Sequence, residues 1–183
     1  MQTTRILPVT EPLQQPLAGH MAKLLPPGMP APQLFLSVAR NAGLFGFLVD
    51  SGLIGPTGLL DRRVLSRDLR ETVILRTCVA TNNDYEFNLH VQTISARMGL
   101  SPAQIADLRG AQPSQKHWPA SRLAAMQLVD AVVRRTVDDD TYALARTHFN
   151  EEILIEITQL AGLYVGVAML VALIRPQLDN YQL

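Results

Sequence analysis

Residues 70–105 read RETVILRTCVATNNDYEFNLHVQTISARMGLSPAQI. Apolar residues recur at helical spacing on the N-terminal side of this stretch, where Val64, Leu65, Leu69, Val73, Ile74 and Leu75 give a buried face to a helix over 61–80. Thr81-Asn82-Asn83-Asp84 breaks it, because short polar side chains compete for backbone hydrogen bonds. A second helix is predicted over 85–98, with Gly99 as the residue past its end. Then comes a complete helix start. Ser101 is the N-cap, Pro102 stands at N1, Gln104 at N3, and Leu100 and Ile105 can close a hydrophobic staple. Two helices and the start of a third within 36 residues set the class of the fold.

Outward from this stretch the reading stays helical. Leu34, Phe35, Val38, Leu44, Phe45 and Leu48 predict a helix over 33–50. Gly52, Gly55, Pro56 and Gly58 make 51–60 a loop, and their spacing fits neither a dinucleotide nor a Walker pattern. Pro113 and Pro119 mark a loop over 111–119, and helices follow at 120–135, 139–149 and 151–174. With no alternating strand and no repeat, the chain is expected to be all-α. Residues 1–32 hold seven of the twelve prolines and read as an extended arm with one short helical turn at 17–25. Residues 33–183 form the single domain. The arm's Leu13, Leu17, Leu24 and Leu25 must cover something, either the body of the chain or a neighbouring subunit.

Composition narrows the function. The 183 residues suit one domain. Sixteen basic and sixteen acidic residues give zero net charge, which leaves no footprint for neutralising nucleic-acid phosphates. A 48% apolar content excludes a disordered chain, and one cysteine excludes a disulfide scaffold. Charged residues are 17%, below the roughly 25% of an average domain. That deficit is concentrated in 33–58 and 160–174, and it implies surfaces covered by further subunits. The uninterrupted apolar run 160–174 is short of the ~20 residues a membrane span needs. Its Gly162 and Gly166 read instead as a place of close helix approach in a bundle, so no membrane association is expected. The N-terminus has no apolar run of leader type, and the expected location is cytoplasmic.

Chemistry concentrates in one place. Glu86 and His90 are four residues apart on one helix and share a face. A carboxylate beside an imidazole raises its proton affinity and orients it, the arrangement of a general acid or base. Tyr85 adds a phenol at the head of the same helix, and Glu71 lies on the preceding helix behind a short link. The same residues admit a plainer reading, since Asn83-x-x-Glu86 is also a capping box. Asn83 and Trp118, the latter in the proline-flanked loop, are candidate substrate contacts. Glu86 and His90 could offer two metal ligands, but no second pair accompanies them, so no metal site is expected.

These residues carry a resemblance. Arg70-Glu71 opening a Val-Ile-Leu-Arg helix, Tyr85-Glu86-Phe87 followed by His90, and Arg97-x-Gly99-Leu100-Ser101 resemble the carboxymuconolactone decarboxylase family, within the alkylhydroperoxidase D-like superfamily. The similarity extends more weakly over 33–174, including Trp118, Asp130 and 160–164. It implies an all-α, alkylhydroperoxidase D-like helical bundle that assembles as a dimer, trimer or hexamer. It also implies cofactor-free decarboxylation or isomerisation of a small carboxylated lactone, with His90 as acid/base, oriented by Glu86 and assisted by Tyr85 and Glu71. The peroxidase branch of that superfamily places cysteines where this chain has Asn83 and Glu86. A cycling dithiol is therefore missing, which weighs against an antioxidant peroxidase. A non-catalytic oligomer that binds a small ligand is the third alternative.

Overall fold

A computed structural model describes residues 3–55, 58–59 and 61–181. The described residues fold into nine helices and no strand: α1 (Leu17–Leu24), α2 (Gln33–Val38), α3 (Ala42–Asp50), α4 (Arg67–Ala80), α5 (Asp84–Thr93), α6 (Pro102–Leu108), α7 (Ala120–Arg134), α8 (Asp139–Arg146) and α9 (Glu151–Ile174). The all-α expectation holds.

Helix α4 is the axis of the bundle and packs against α5, α6, α7 and α9. Nine of its fourteen residues are buried, so it is enclosed on nearly all sides rather than along one stripe. Its threonines serve their own helix: Thr72 and Thr77 donate to the carbonyls of Asp68 and Val73 at 2.7 and 2.8 Å. Burial without a partner would cost each hydroxyl a few kcal/mol, about 1–3 by mutational measures. The Arg76 guanidinium is buried too. It meets Asp130 of α7 through two bonds of 2.8 and 2.6 Å and donates to the carbonyls of Leu108 and Gly110. This fully partnered charge joins α4, α6 and α7 and has a structural task.

Several boundaries differ from the sequence reading. The helix expected over 61–80 begins only at Arg67. Arg63 is in the left-handed region at φ 61°, and its N–H donates to the Asp61 carboxylate, a local turn that outcompetes helix. The helix expected over 33–50 is two helices, divided where the Asn41 side chain accepts from Leu44 N–H and caps α3. The helix expected over 139–149 ends at Arg146. The helix expected over 85–98 stops at Thr93, because Ile94 leaves helical geometry at φ −128° and Ser95 N–H returns to the His90 carbonyl at 2.9 Å. Gly99 does take positive φ, 97°, but it closes this turn rather than the helix itself. The start at Ser101 has the full capping box, with Ser101 Oγ accepting from Gln104 N–H and Gln104 Oε1 accepting from Ser101 N–H.

The arm lies on this chain's own helices. Leu13, Leu17, Leu24 and Leu25 pack around Met21, Leu36, Phe45 and Val49. Backbone bonds from Arg5 to Ile174 and from Val9 to Leu36 fasten its beginning. The helical turn expected at 17–25 is α1. Helix α9 runs 24 residues and is, by length and composition alone, apolar enough to cross a membrane. Within the bundle it turns Leu154, Ile157, Leu160, Ala161 and Tyr164 toward the core and leaves Ile155, Met169 and Leu173 exposed.

Candidate active site

The site grows from the α4–α5 turn. Asn83 is the N-cap of α5, its Oδ1 accepting from Glu86 N–H at 3.2 Å. The cap fixes the start of α5, and its periodicity then places Glu86 and His90 one turn apart on the face toward α4 and α9. Asn83 is thus a cap, but the reciprocal half of a capping box does not form, because Asn83 N–H donates to the Cys78 carbonyl. The cap uses the Glu86 backbone and leaves the carboxylate available.

His90 is held from both sides. Its Nδ1 lies 3.0 and 3.2 Å from the two Glu71 oxygens. Its Nε2 lies 3.2 Å from the Tyr164 hydroxyl and 3.5 Å from Glu86 Oε1. The Tyr164 ring stands edge-on to the imidazole, with 5.6 Å between centroids. Glu71 is wholly buried and accepts a further hydrogen bond of 2.7 Å from Ser95 Oγ. The orienting carboxylate is thus Glu71, whereas the sequence reading assigns that role to Glu86. The reason is distance: an i, i+4 pair on one helix meets at its tips, while Glu71 faces the imidazole squarely from the neighbouring helix.

The electrostatics follow from this enclosure. Burial depresses the proton affinity of His90, but the charge and hydrogen bond of Glu71, joined by Glu86, outweigh it and lift the pKa to about 9. Burial pushes the Glu71 carboxyl up. The His90 charge, the bonds from His90 and Ser95, and the Arg70 charge overcome it and hold the carboxyl below its ordinary value. Tyr164 is driven well above the ordinary phenol value, first by burial and then by Glu86, and stays a phenol. At neutral pH the site holds an imidazolium braced by an ionised Glu71.

This group opens on a cavity of about 450 Å³, within the range of small-molecule sites. Glu86, His90 and Tyr164 contribute its chemical end. Arg63, Arg70 and Arg97 add positive charge to its lining. Arg70 Nη1 is 3.9 Å from Glu71 Oε2. Leu24, Leu25, Met29 and Phe35 form an apolar wall from the arm and α2. Glu86 Oε2 is buried in this region with no hydrogen-bond partner. A buried carboxylate oxygen left unpaired is costly, and it marks a place where a ligand donor or a transferred proton would be stabilised.

Three candidates stand elsewhere. Asn83, the expected substrate contact, caps α5 and does not line this cavity. The Tyr85 hydroxyl donates to Asp179 of the C-terminal segment and accepts from Leu34 N–H at 2.9 Å. Asp179 also accepts from Gln33 N–H, so Tyr85 is the pin of a clasp between α5, α2 and the chain end. Its phenol points away from the imidazole. Trp118 is buried in the main core and donates its Nε1–H to Asp107 at 2.9 Å. It does not line the cavity, so the expected substrate contact is corrected to a structural one. Cys78 is buried, and burial followed by the charges of Glu86 and Glu71 pushes its thiol up, away from the reactive thiolate. No group of three or more His, Cys, Asp or Glu side chains among the described residues is gathered closely enough to share a metal.

Tyr164, Ser95 and the cavity arginines are the site residues that the sequence reading missed. Tyr164 had a faint signal as a polar group inside the apolar run 160–174. Ser95 had none, because its approach to Glu71 depends on the early end of α5.

Comparison with known proteins places this geometry. Residues 57–131, which contain α4, α5 and α6, match the model of the carboxymuconolactone decarboxylase family. A search of curated proteins finds no match. Among solved structures, a protein of unknown function from Agrobacterium tumefaciens, described as a candidate AhpD antioxidant defence protein, is similar at TM-score 0.65 and 19% identity, over 79% of this chain and 97% of that one. The debrominase Bmp8 is similar in its apo form at TM-score 0.72 and 18% identity, over 97% of this chain and 93% of that one. A cysteine-to-alanine variant of that debrominase, in complex with 2,3,4-tribromopyrrole, gives TM-score 0.71 and 16% identity, over 97% and 92%. At these identities the likeness establishes a shared AhpD-like helical fold.

Proposed function

Because residues 57–131 match the model of the carboxymuconolactone decarboxylase family, we propose that the protein is an enzyme of cofactor-free acid/base chemistry. It decarboxylates or isomerises a small carboxylated lactone or related acid. The observation that carries this reading is the Glu71–His90 pair, bonded at 3.0 Å and opening through Glu86 and Tyr164 onto a cavity with arginines in its lining.

The steps follow from the groups present. The carboxylate of the substrate meets positive charge at the cavity arginines, and its reacting carbon faces Glu86 and His90. Loss of carbon dioxide breaks the carbon–carbon bond and leaves its electron pair as a dienolate. The imidazolium stabilises that charge and supplies a proton to carbon through Nε2, directly or by way of Glu86. Glu71 keeps the ring oriented and takes no proton itself. Tyr164 fixes the far side of the ring.

A panel of unsaturated lactone acids tests this reading, with carbon dioxide release as the readout. Wild type should turn over at least one member, and His90→Ala should lose about 10²–10⁴-fold, the usual worth of a positioned acid/base. Unchanged turnover in His90→Ala would remove the assignment. The antioxidant reading has less support, because Cys78 is buried and its thiol is held protonated. A hydroperoxide assay with Cys78→Ser as control separates the two. We also propose a homo-oligomer, supported by the exposed Ile155, Met169 and Leu173 of α9, and a cytoplasmic location.

A further inference from the structure

The cavity beside His90 is asymmetric in a way that the proposed reaction does not require. Its polar lining is Glu86, His90 and the arginines Arg63, Arg70 and Arg97, with the Asp61 carboxylate 3.8 Å from Arg70 Nε. Leu24, Leu25, Met29, Phe35 and Ile54 give the same space an apolar lining. A compact, polyoxygenated acid would leave that apolar wall wet. At about 30 Å³ per water-sized group, a 450 Å³ cavity has room for on the order of fifteen non-hydrogen atoms.

Most of the wall comes from the arm. Leu24 and Leu25 stand at the end of α1 and Met29 in the turn that follows, all half-buried. The prolines of this segment fix its backbone: Pro26 and Pro32 line the cavity themselves, and Pro32 caps α2. The arm is fastened at both ends, by backbone bonds to Ile174 and Leu36 and by the His20 and Lys23 contacts to Asp50. It is thus a built wall, not a loose terminus.

Resting on the acid/base reading of this site, we infer that its substrate is an amphipathic monoacid, with one anionic head at the cavity arginines and an apolar body of about ten non-hydrogen atoms against Leu24, Leu25, Met29 and Phe35, so that the N-terminal arm sets substrate specificity. Size and polarity are thereby matched at both ends. The reacting carbon falls between head and body, beside Glu86 and His90.

Calorimetric titration of the full chain with butanoate, octanoate and 1-octanol tests this without any turnover. Burying a methylene contributes about 0.8 kcal/mol, so octanoate should bind at least tenfold tighter than butanoate, at one site per chain. Octanol should bind at least tenfold more weakly than octanoate. In Met29→Ser and Leu25→Ser, both at half-buried positions, the octanoate advantage should fall below threefold while butanoate affinity stays put. NMR of the histidine rings locates the event: octanoate should shift His90 and leave His117 and His148 in place. Equal affinities for butanoate and octanoate overturn the inference, as does an advantage that persists in both arm variants, or a shift that misses His90. The wild-type chain-length series stands even if an arm variant fails to fold. An inert enzyme that still shows this pattern would fail the acid/base reading alone; a turnover-competent enzyme without it would fail the inference alone.

Discussion

In the proposed reaction the chemistry turns on His90, whose proton affinity Glu71 raises against burial. Replacing Glu71 with Gln removes the charge that offsets burial. The His90 pKa should then fall from about 9, as burial is opposed only by Glu86. An NMR titration of the His90 ring in wild type and Glu71→Gln measures this. The same pair ties stability to pH. His90 has a raised value in the folded state, so its contribution is complete below about pH 6.5 and is lost as pH climbs through about 9. Glu71 has a lowered value, so its contribution is complete above 4.5 and is lost as pH falls further. Denaturant unfolding of wild type and His90→Gln should therefore differ most between these limits. The difference should shrink as pH rises from about 6.5 to about 9. A constant difference across that range would contradict the linkage.

At the scale of elements, the end of α5 does more than its length suggests. By stopping at Thr93 it turns Ser95 back into the core, where its hydroxyl donates to Glu71. Ser95→Ala should cost about 1–3 kcal/mol, the usual penalty for a buried acceptor stripped of its donor, and should loosen the carboxylate that orients His90. Thermal unfolding measures the first effect and the His90 titration the second. The opposite face of α5 is held by Tyr85 through Asp179 and Leu34. Tyr85→Phe should lower the melting temperature by several degrees, at about 2–4 °C per kcal/mol for a chain of this size, with turnover per folded molecule unchanged. A loss of turnover matching that of His90→Ala would restore Tyr85 to the chemistry. These two ends of α5 show what sequence could and could not carry. Glu86 and His90 were legible because helical period alone brings them to one face. The Glu71 contact was half legible, since a short link places α4 beside α5 without fixing the rotation of either. Ser95 and Asp179 were not legible. Both reach their partners through non-helical turns, whose geometry depends on a single residue such as Ile94 leaving the helix.

For the whole molecule, the low charge density has two outlets. One is internal: α4 is enclosed by its neighbours, and its buried threonines, Arg76 and Glu71 find partners there. The other is external: Ile155, Met169 and Leu173 leave an apolar side on α9. Met169→Lys combined with Leu173→Lys should shift sedimentation toward a smaller species, without loss of helical content, if that side joins subunits. An unchanged sedimentation coefficient would mean that assembly, where it occurs, uses another face. The arm's prolines read as extended chain and its leucines as a cover for something. What it covers is the chain's own site, where Leu24, Leu25 and Met29 close one side of the cavity. The central proposal is that His90 delivers a proton to carbon at that cavity. The most direct test is decarboxylation of a lactone acid in deuterium oxide, followed by mass spectrometry. Wild type should place one deuterium on the carbon that lost carbon dioxide, and His90→Ala should form that product at least about 10²-fold more slowly while keeping its fold. An equal rate of deuterated product from the two proteins would contradict it.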